Sequence, residues 1–141
     1  MRREQHGFTF IELVMVMALA GVLLTAGASS LRHALAREEI DGWARSIAYD
    51  IMGAQQAAMT RRTNTVLTFQ NQTYSIVADS TTLRQQMLPT HISLGSITTL
   101  SFDRRGIPSA GITLTVTSAL SGRSYIITVE TVTGRVTFSE T

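Results

Sequence analysis

The stretch Gly7-Phe8-Thr9-Phe10-Ile11-Glu12-Leu13 opens a long apolar run and sets one carboxylate inside it. From Phe8 to Leu31, Glu12 is the only charged residue. As a helix rising ~1.5 Å per residue, this run exceeds the roughly 30 Å core of a bilayer. An acid is costly inside a membrane, so we expect Glu12 to have a function and a partner.

Arginines flank the apolar run on both sides, with Arg2 and Arg3 before it and Arg32 and Arg37 after it. The positive leader favours a helix that enters the membrane with its N-terminus on the cytoplasmic side. The sequence therefore predicts a single-pass anchor.

A secretory signal peptide is the simplest alternative for such a beginning. The small residues Ala26 to Ala28 could then form a cleavage site, and the secreted chain, a periplasmic binding domain, would start near Ser29. Two features oppose this alternative. The run is long for a signal peptide, and the charged Glu12 would be energetically unfavourable inside it.

The opening stretch closely resembles the class III leader junction of type IV prepilins and type II secretion pseudopilins. In that family a prepilin peptidase cuts after the glycine and methylates the new N-terminal residue, which is usually Phe, and the fifth mature residue is Glu. The resemblance implies removal of a leader 1–7 by cleavage between Gly7 and Phe8, N-methylation of Phe8, and a filament-assembly role for Glu12. Phe10 stands where the family usually has Leu.

The resemblance also gives Glu12 a physical role. Cleavage after Gly7 creates a cationic amine on Phe8, and packed helices in a filament would bury that amine. A buried charge is much less costly when it is paired. The family therefore implies that Glu12 meets the Phe8 amine of its own or a neighbouring chain. It also implies these partners: other pilin or pseudopilin subunits, the prepilin peptidase, an inner-membrane assembly platform and membrane lipid.

The segment 32–62 continues the helix with a different pattern. Its apolar residues recur every three or four positions, which is typical of an amphipathic helix with one buried stripe. The stripe consists of Ile40, Trp43, Ala44, Ile47, Ile51, Ala54 and Ala58. One helix from about Phe8 to Arg61 is predicted. Gly21 and Gly27, in its membrane half, are equally consistent with bending during assembly and with close helix packing.

From Thr63 onward short runs alternate with period two and are rich in Thr, Val and Ile, a pattern typical of strands. The runs are 65–69, 74–77, 111–116, 125–129 and 135–138, and Asn71-Gln72 and Ser121-Gly122 are predicted hairpin turns. We therefore predict an α+β fold. In it, a long N-terminal helix, half membrane-spanning and half amphipathic, packs on a C-terminal antiparallel β domain of six to eight strands, in two small sheets. Residues 79–100 match no recognised pattern.

Three further motifs resemble GspH/FimT-type minor pseudopilins. AQQAAMTRRTNTVLTF (54–69) is similar to the end of the helix and the first strand of that family. LSFDRRGIP (100–108) and TGRV (133–136) look like its recurrent turns. Their order after a class III leader makes the resemblance cover most of the chain.

The composition argues against catalysis. The chain contains no Cys, and the two histidines beyond the leader, His33 and His91, stand far apart and outside any metal-ligand spacing. We interpret both as solvated surface residues. No nucleophile motif or phosphate loop occurs, so we predict no catalytic residue, no metal site and no cofactor, and a protein that is not an enzyme.

The arginines offer a weaker candidate for binding. Some FimT-type minor pilins bind DNA through a Gly-Arg-x-Arg tail, and this chain has Gly134-Arg135-Val136-Thr137, with Thr in place of the second Arg. Arg104, Arg105 and Arg123 could assist Arg135 in contacting DNA phosphates. With a net charge of only +2, we favour structural turns with solvated arginines. Arg61-Arg62 are expected to cap the negative end of the helix.

These observations predict a filament subunit with four segments: a leader 1–7, a transmembrane and filament-core helix 8–31, an amphipathic half-helix 32–62 and a periplasmic β domain 63–141. The expected location is the inner membrane, and then an assembled filament. A minor pseudopilin of a type II secretion system, which helps to initiate or cap the pseudopilus, ranks first. The alternative is a minor pilin of a type IV pilus, including a DNA-uptake pilus.

Overall fold

The computed structural model describes residues 9–95 and 98–141, without the side chains of 26–29. The chain forms two units, which follow one another in the sequence at Leu35 and Ala36. The predicted leader 1–7 and the predicted methylation site Phe8 lie outside the described residues. The segment boundaries at 31 and 62 stay predictions.

The helix α1 spans Phe10–Arg61, in agreement with the predicted helix. Its C-terminal end is closed by Arg62, which adopts a left-handed backbone conformation with φ 53°. The Thr63 N–H then donates to the Ala58 carbonyl at 3.3 Å. This six-to-one hydrogen bond after a left-handed residue is the Schellman arrangement, and it satisfies a carbonyl that the helix end would otherwise leave unpaired.

The first unit contains the apolar part of α1. Every side chain from Phe10 to Thr25 is exposed, although most of them are large and apolar. By length and composition this helix could cross a membrane, since its best window has a mean hydropathy of 2.2 and is 0% buried. Such a surface is stable only where lipid or other apolar helices cover it.

The second unit combines the remainder of α1 with eight strands. They are β1 (Thr65–Gln70), β2 (Thr73–Ala78), β3 (Thr81–Met87), β4 (Ile92–Leu94), β5 (Thr98–Phe102), β6 (Ile112–Ser118), β7 (Ser124–Val129) and β8 (Val136–Glu140). The five predicted strand runs correspond to β1, β2, β6, β7 and β8. The other three strands fall within or at the edge of 79–100, where no pattern was recognised.

The strands form two antiparallel sheets of four, which confirms the predicted α+β fold. Sheet A has the order β3-β2-β1-β5, and sheet B has the order β4-β6-β7-β8. The predicted turn at Asn71-Gln72 joins β1 to β2 with the pair Gln70↔Thr73 next to it. The predicted turn at Ser121-Gly122 is the middle of a longer connection between β6 and β7, where Gly122 takes φ 68°.

One hydrophobic core joins the helix stripe to the inner faces of both sheets. Six of the seven predicted stripe residues are buried; they are Ile40, Ala44, Ile47, Ile51, Ala54 and Ala58. The seventh, Trp43, packs against the core but stays half-buried. Strands β1, β2 and β7 alternate between buried and half-exposed residues, as period-two sequences should when one face covers a core.

Polar contacts attach the helix to the β domain at several places. Asp50 accepts a hydrogen bond from Tyr74 on β2 and pairs with Arg84 on β3, where the Arg84 Nη1 to Asp50 Oδ1 distance is 2.9 Å. Burial first, and then the hydrogen bond to Asp50, raises the pKa of Tyr74. The Arg45 guanidinium lies 5.6 Å from the Phe138 ring centroid of β8, within the range of a cation–π contact.

His91 departs from the sequence interpretation. Its Nε2 lies 3.1 Å from Glu39 Oε2 on the helix, and only 21% of its side chain is exposed. His91 is thus a surface residue that Glu39, 52 positions earlier in the chain, partly covers, rather than a fully solvated one. His33 is exposed, as expected.

The first turn of the helix and the arginine turns

The first turn of α1 holds the acid that the sequence singled out. Thr9 precedes the helix, and its Oγ1 accepts a hydrogen bond from the Glu12 N–H at 3.3 Å. The Thr9 carbonyl accepts from the same N–H at 3.1 Å. Thr9 and Glu12 thus occupy the N-cap and N3 positions, where a Ser or Thr followed three residues later by Glu is the sequence signature of a capping box.

Glu12 lies at the positive end of the helix, where a carboxylate is favoured. It is the only acid in the first turn, and its side chain is exposed. The carboxylate is therefore accessible to a cation from outside the described residues. Gly7 and Phe8 are not among those residues, so cleavage, methylation and the pairing of Glu12 with the Phe8 amine stay predictions.

Two turns that the sequence separates meet on one side of the β domain. Gln55 on α1 donates from Nε2 to the Gly106 carbonyl at 2.9 Å. A Cβ added to Gly134 would collide with the same amide and would lie 3.4 Å from the Gly106 carbonyl oxygen. The turn 103–107 and the turn 130–135 therefore pack together at Gln55.

This packing brings Arg104, Arg105 and Arg135 to one end of the domain, which we call the arginine end. Arg104 and Arg135 are exposed, and neither forms an ion pair with any residue in 9–95 or 98–141. Arg105 Nε pairs with Asp103 Oδ2 at 3.2 Å. Gln55 is not predictable in this role, since nothing in a helical Gln signals a contact 51 residues further along the chain.

Asp103 organises the first of these turns. Its Oδ1 accepts from the Arg105 N–H at 2.8 Å and from the Ile107 N–H at 2.9 Å. These backbone hydrogen bonds, led by the one from Ile107, lower the pKa of Asp103. Gly106 takes φ 80° in the same turn, a left-handed conformation that glycine adopts without strain.

Arg123 is not part of the arginine end. It follows the β6–β7 turn, and its Nη1 lies 2.9 Å from Glu140 Oε1. In the β7–β8 register, Tyr125 faces Glu140 whereas Val129 faces Val136, so Arg123 and Arg135 flank opposite ends of this strand pair. The structure thus brings together three of the four candidate arginines.

Within the described residues, no group of three or more His or acidic side chains is arranged to hold a metal ion. His91 and Glu39 form a single pairwise contact between a loop and the helix. The described part of the chain thus offers surfaces for binding.

Comparison with known proteins supplies the family. Residues 2–28 match the prokaryotic N-terminal methylation motif. Residues 44–134 match the family described as type II transport protein GspH. The chain belongs to the GspH family.

Two relatives extend this assignment. The curated competence protein ComGD of Bacillus subtilis is 32% identical over 137 residues, which cover 94% of this chain and 92% of ComGD. The crystal structure of the type IV minor pilin FimU of Pseudomonas aeruginosa superposes with a TM-score of 0.60 at 15% identity, over 73% of this chain and 90% of FimU. A second crystal form of FimU gives a TM-score of 0.57. FimU therefore supports the fold alone.

These findings identify the class of protein. The chain is a minor pilin-like or pseudopilin-like protein of the GspH family, and pilin-like proteins are structural subunits rather than enzymes. Such subunits assemble with other pilins and are processed by a prepilin peptidase, as the methylation motif implies. The apolar helix at its N-terminus indicates membrane anchoring and pilus assembly.

Proposed function

We propose that this protein is a non-catalytic subunit of a membrane-anchored filament. The observation that carries the proposal is the N-terminal half of α1, where large apolar side chains are exposed on every face and one acid stands in the first turn. A soluble protein does not expose such a surface, whereas a subunit stored in a membrane and then packed into a helical filament core covers it in both states.

In this proposal the prepilin peptidase removes residues 1–7 and methylates Phe8. The mature chain spans the inner membrane once, with the domain 63–141 on the periplasmic side. An assembly platform then extracts the helix into the filament. The Glu12 carboxylate neutralises the Phe8 amine of its own or a neighbouring subunit, because two opposite charges transferred together out of water cost far less than one.

We further propose that the filament is a DNA-uptake pilus. From the sequence alone, a secretion pseudopilus ranks first. Two later observations support the competence assignment: the curated relative is named as a competence protein and aligns along 94% of this chain, and the arginine end gathers exposed cations from two turns. The family description as a transport protein favours secretion, so the pseudopilus remains the second candidate.

The proposed role of the arginine end is contact with DNA phosphates. Arg104 and Arg135 are exposed and form no ion pair with an acid in the described part of the chain, so both are available to a polyanion. Arg105 shares its guanidinium with Asp103 and contributes less. Each arginine that neutralises a phosphate releases a counterion, which makes the binding dependent on salt.

Natural transformation in a competent host tests the choice of machine. A clean deletion should lower the transformation frequency by orders of magnitude, and the wild-type chain should restore it. A double variant, Arg104→Gln with Arg135→Gln, should restore it poorly and should bind duplex DNA with a salt slope reduced by about 2, near 1 per lost phosphate contact.

The matched control is Arg123→Gln, at the opposite end of the β7–β8 pair, which should behave as wild type. If the deletion strain transforms normally but loses exported proteins from its medium, the secretion pseudopilus is the correct machine. If the double variant and Arg123→Gln bind DNA equally well, the arginine end has no role in DNA contact.

A further inference from the structure

The outer edge of β8 is unpaired. Alternate residues of this strand direct their backbone N–H and C=O groups to opposite sides. The Arg135 carbonyl accepts from the Glu130 N–H at 3.0 Å, and the Thr141 N–H donates to the Ser124 carbonyl at 3.0 Å. In an antiparallel pair such residues alternate, so the odd-numbered residues of β8 bond to β7. The backbone groups of Val136, Phe138 and Glu140 therefore point away from the sheet, and β8 ends the strand order of sheet B.

An apolar groove lies between this edge and the helix. It has a volume of about 150 Å³, and Val136 and Phe138 line one side while Ala48, Tyr49 and Met52 line the other, beside Arg45. Tyr49 is 67% exposed and Met52 is 40% exposed. Phe138 stacks on Tyr125 at a centroid distance of 5.2 Å, which fixes that wall of the groove.

One extended segment would both pair with the edge of β8 and fill the apolar groove. The side chains of Val136 and Phe138 are half-buried, whereas Thr137 and Ser139 are exposed on the opposite face. In a sheet, directly opposed residues on neighbouring strands point to the same face. A strand added beside β8 would therefore direct every second side chain into the groove.

The other described sheet edges are protected from such an addition. β3 is mostly polar, carries Arg84 and has exposed residues on both faces, features that discourage edge pairing. The free side of β5 is covered by the isolated bridge Phe102↔Pro108 and by the Ser109 N–H bonded to the Ser101 carbonyl. The β4 edge is tied to the β1–β2 turn, because the Leu94 N–H donates to Asn71.

The two ends of β8 differ in available charge. At its beginning, the exposed Arg135 forms no ion pair with any residue in the described ranges. At its end, Glu140 is already paired with Arg123. An added strand would thus gain binding energy from a carboxylate opposite Arg135 and from no charge at the other end. A second copy of β8 is disfavoured for the same reason, because its only acid, Glu140, is already paired.

We propose that the open edge of β8 binds an extended segment of a neighbouring, non-identical filament subunit, with apolar residues at alternate positions and a carboxylate opposite Arg135. The partner is a filament subunit only if the proposed function is correct. While its carboxylate pairs with Arg135, contact of the arginine end with DNA phosphates rests on Arg104. The docking chemistry does not depend on it: backbone hydrogen bonds provide affinity, and the groove and Arg135 provide specificity.

Cross-linking to a designed peptide tests the register, because the chain has no native Cys. The probe is acetyl-Val-Thr-Val-Thr-Val-Glu-amide with one Cys moved through its positions. It is mixed with the full chain carrying Thr137→Cys, an exposed site on β8, in detergent micelles. The disulfide yield, measured by mass spectrometry, should peak at the peptide position opposite residue 137 and fall at its two immediate neighbours.

The matched control is Thr82→Cys on β3, which should give low and uniform yields. Equal yields along the peptide, or equal yields at β3 and β8, would overturn the proposal. A dominant disulfide between two copies of the Thr137→Cys chain in the presence of peptide would also overturn it, because β8 would then pair with itself.

A charge exchange tests the role of Arg135 with the same peptide labelled with a fluorophore. Arg135→Glu should weaken binding of the Glu peptide by about fivefold and strengthen binding of the matched Lys peptide, as expected for one partly exposed ion pair. Arg104→Glu, a similar change outside β8, should leave the preference for Glu over Lys unchanged. A parallel change in both variants would contradict specific recognition at β8. These measurements use the isolated chain. Peptide binding at β8 can therefore fail while the filament assignment holds, and peptide binding can succeed while the filament assignment fails.

Discussion

Glu12 has two roles, one through its backbone and one through its carboxylate. Within the chain, its backbone N–H donates to the Thr9 hydroxyl at the start of α1. Within the proposed filament, its charge neutralises a buried amine. The first role does not use the carboxylate, whereas the second needs a negative charge. A single substitution can therefore separate them.

We predict that Glu12→Gln leaves leader cleavage intact but prevents incorporation into filaments. The variant keeps the backbone hydrogen bond to Thr9 and loses the charge that would pair with the Phe8 amine. Co-purification with other filament subunits measures incorporation, and the electrophoretic mobility of the chain measures cleavage. Thr9→Ala is the control: it should cost the helix about 1 kcal/mol through the lost cap and still assemble. Wild-type co-purification of Glu12→Gln would contradict the charge role.

The turn at Asp103 should respond to acid. Hydrogen bonds to its carboxylate hold the folded-state pKa of Asp103 below the ordinary value of 3.8. The stability that this group contributes is therefore present above the unfolded-state pKa and is lost as the pH falls through the lower, folded-state pKa. Amide hydrogen exchange at Arg105 and Ile107 should accelerate only below pH 3.8. Asp103→Asn keeps the Oδ1 acceptor and should remove this pH dependence; persistence of the dependence would assign it to another group.

Among the secondary-structure elements, α1 contains glycines that lower the stability of the helix. A Cβ added to Gly42 or Gly53 would meet nothing within 4 Å. Glycine in a helix interior costs about 1 kcal/mol relative to Ala because it loses more backbone freedom on folding.

We therefore expect Gly42→Ala and Gly53→Ala each to raise the free energy of unfolding of the purified chain by about 1 kcal/mol. Chemical denaturation followed by circular dichroism measures it. Gly106→Ala is the opposite control, since Gly106 has φ 80° and its added Cβ would lie 2.8 Å from Met59, so it should destabilise. If Gly42→Ala and Gly106→Ala destabilise equally, conformational entropy does not explain the helix glycines.

The sequence predicted the helix and four of the strands that bury one face, β1, β2, β6 and β7. The helix stripe and strands such as β2 have a clear period because alternate residues enter the core. It did not predict β3, because this edge strand is exposed on both faces and its residues TTLRQQM carry no alternation. β4 was also missed, since its three residues are too few to show a period. Trp43 has the spacing of a core residue and stays half-buried at the margin of the stripe.

Over the whole β domain, Asp50 connects the helix to two strands of sheet A. Its side chain is 11% exposed and interacts with both Tyr74 and Arg84. We predict that Asp50→Ala lowers the free energy of unfolding by about 2 kcal/mol, since a largely buried Tyr hydroxyl loses an ionised acceptor. Asp41→Ala removes an exposed pair with Arg45 and should change stability by only about 0.5 kcal/mol. Equal losses in the two variants, measured by denaturation, would contradict this role for Asp50.

Long-range contacts were beyond prediction from local patterns. The sequence suggested Arg104, Arg105, Arg123 and Arg135 as one group of candidates. Only the fold separates Arg123 from the rest, because the β7–β8 register carries it to the far end of the strand pair. Likewise, Gln55 gives no local sign that it joins two turns. The leader motif, by contrast, was recognised from residues adjacent in sequence, and the matching methylation motif covers them.

Cleavage after Gly7 is the step that would produce a membrane-anchored pilin-type subunit. The intact mass and N-terminal sequence of the chain purified from host membranes measure it directly. We predict a chain that begins at Phe8 and carries one additional methyl group on its amine. A chain that keeps residues 1–7, or one that begins near Ser29 and is found free of the membrane, would contradict it.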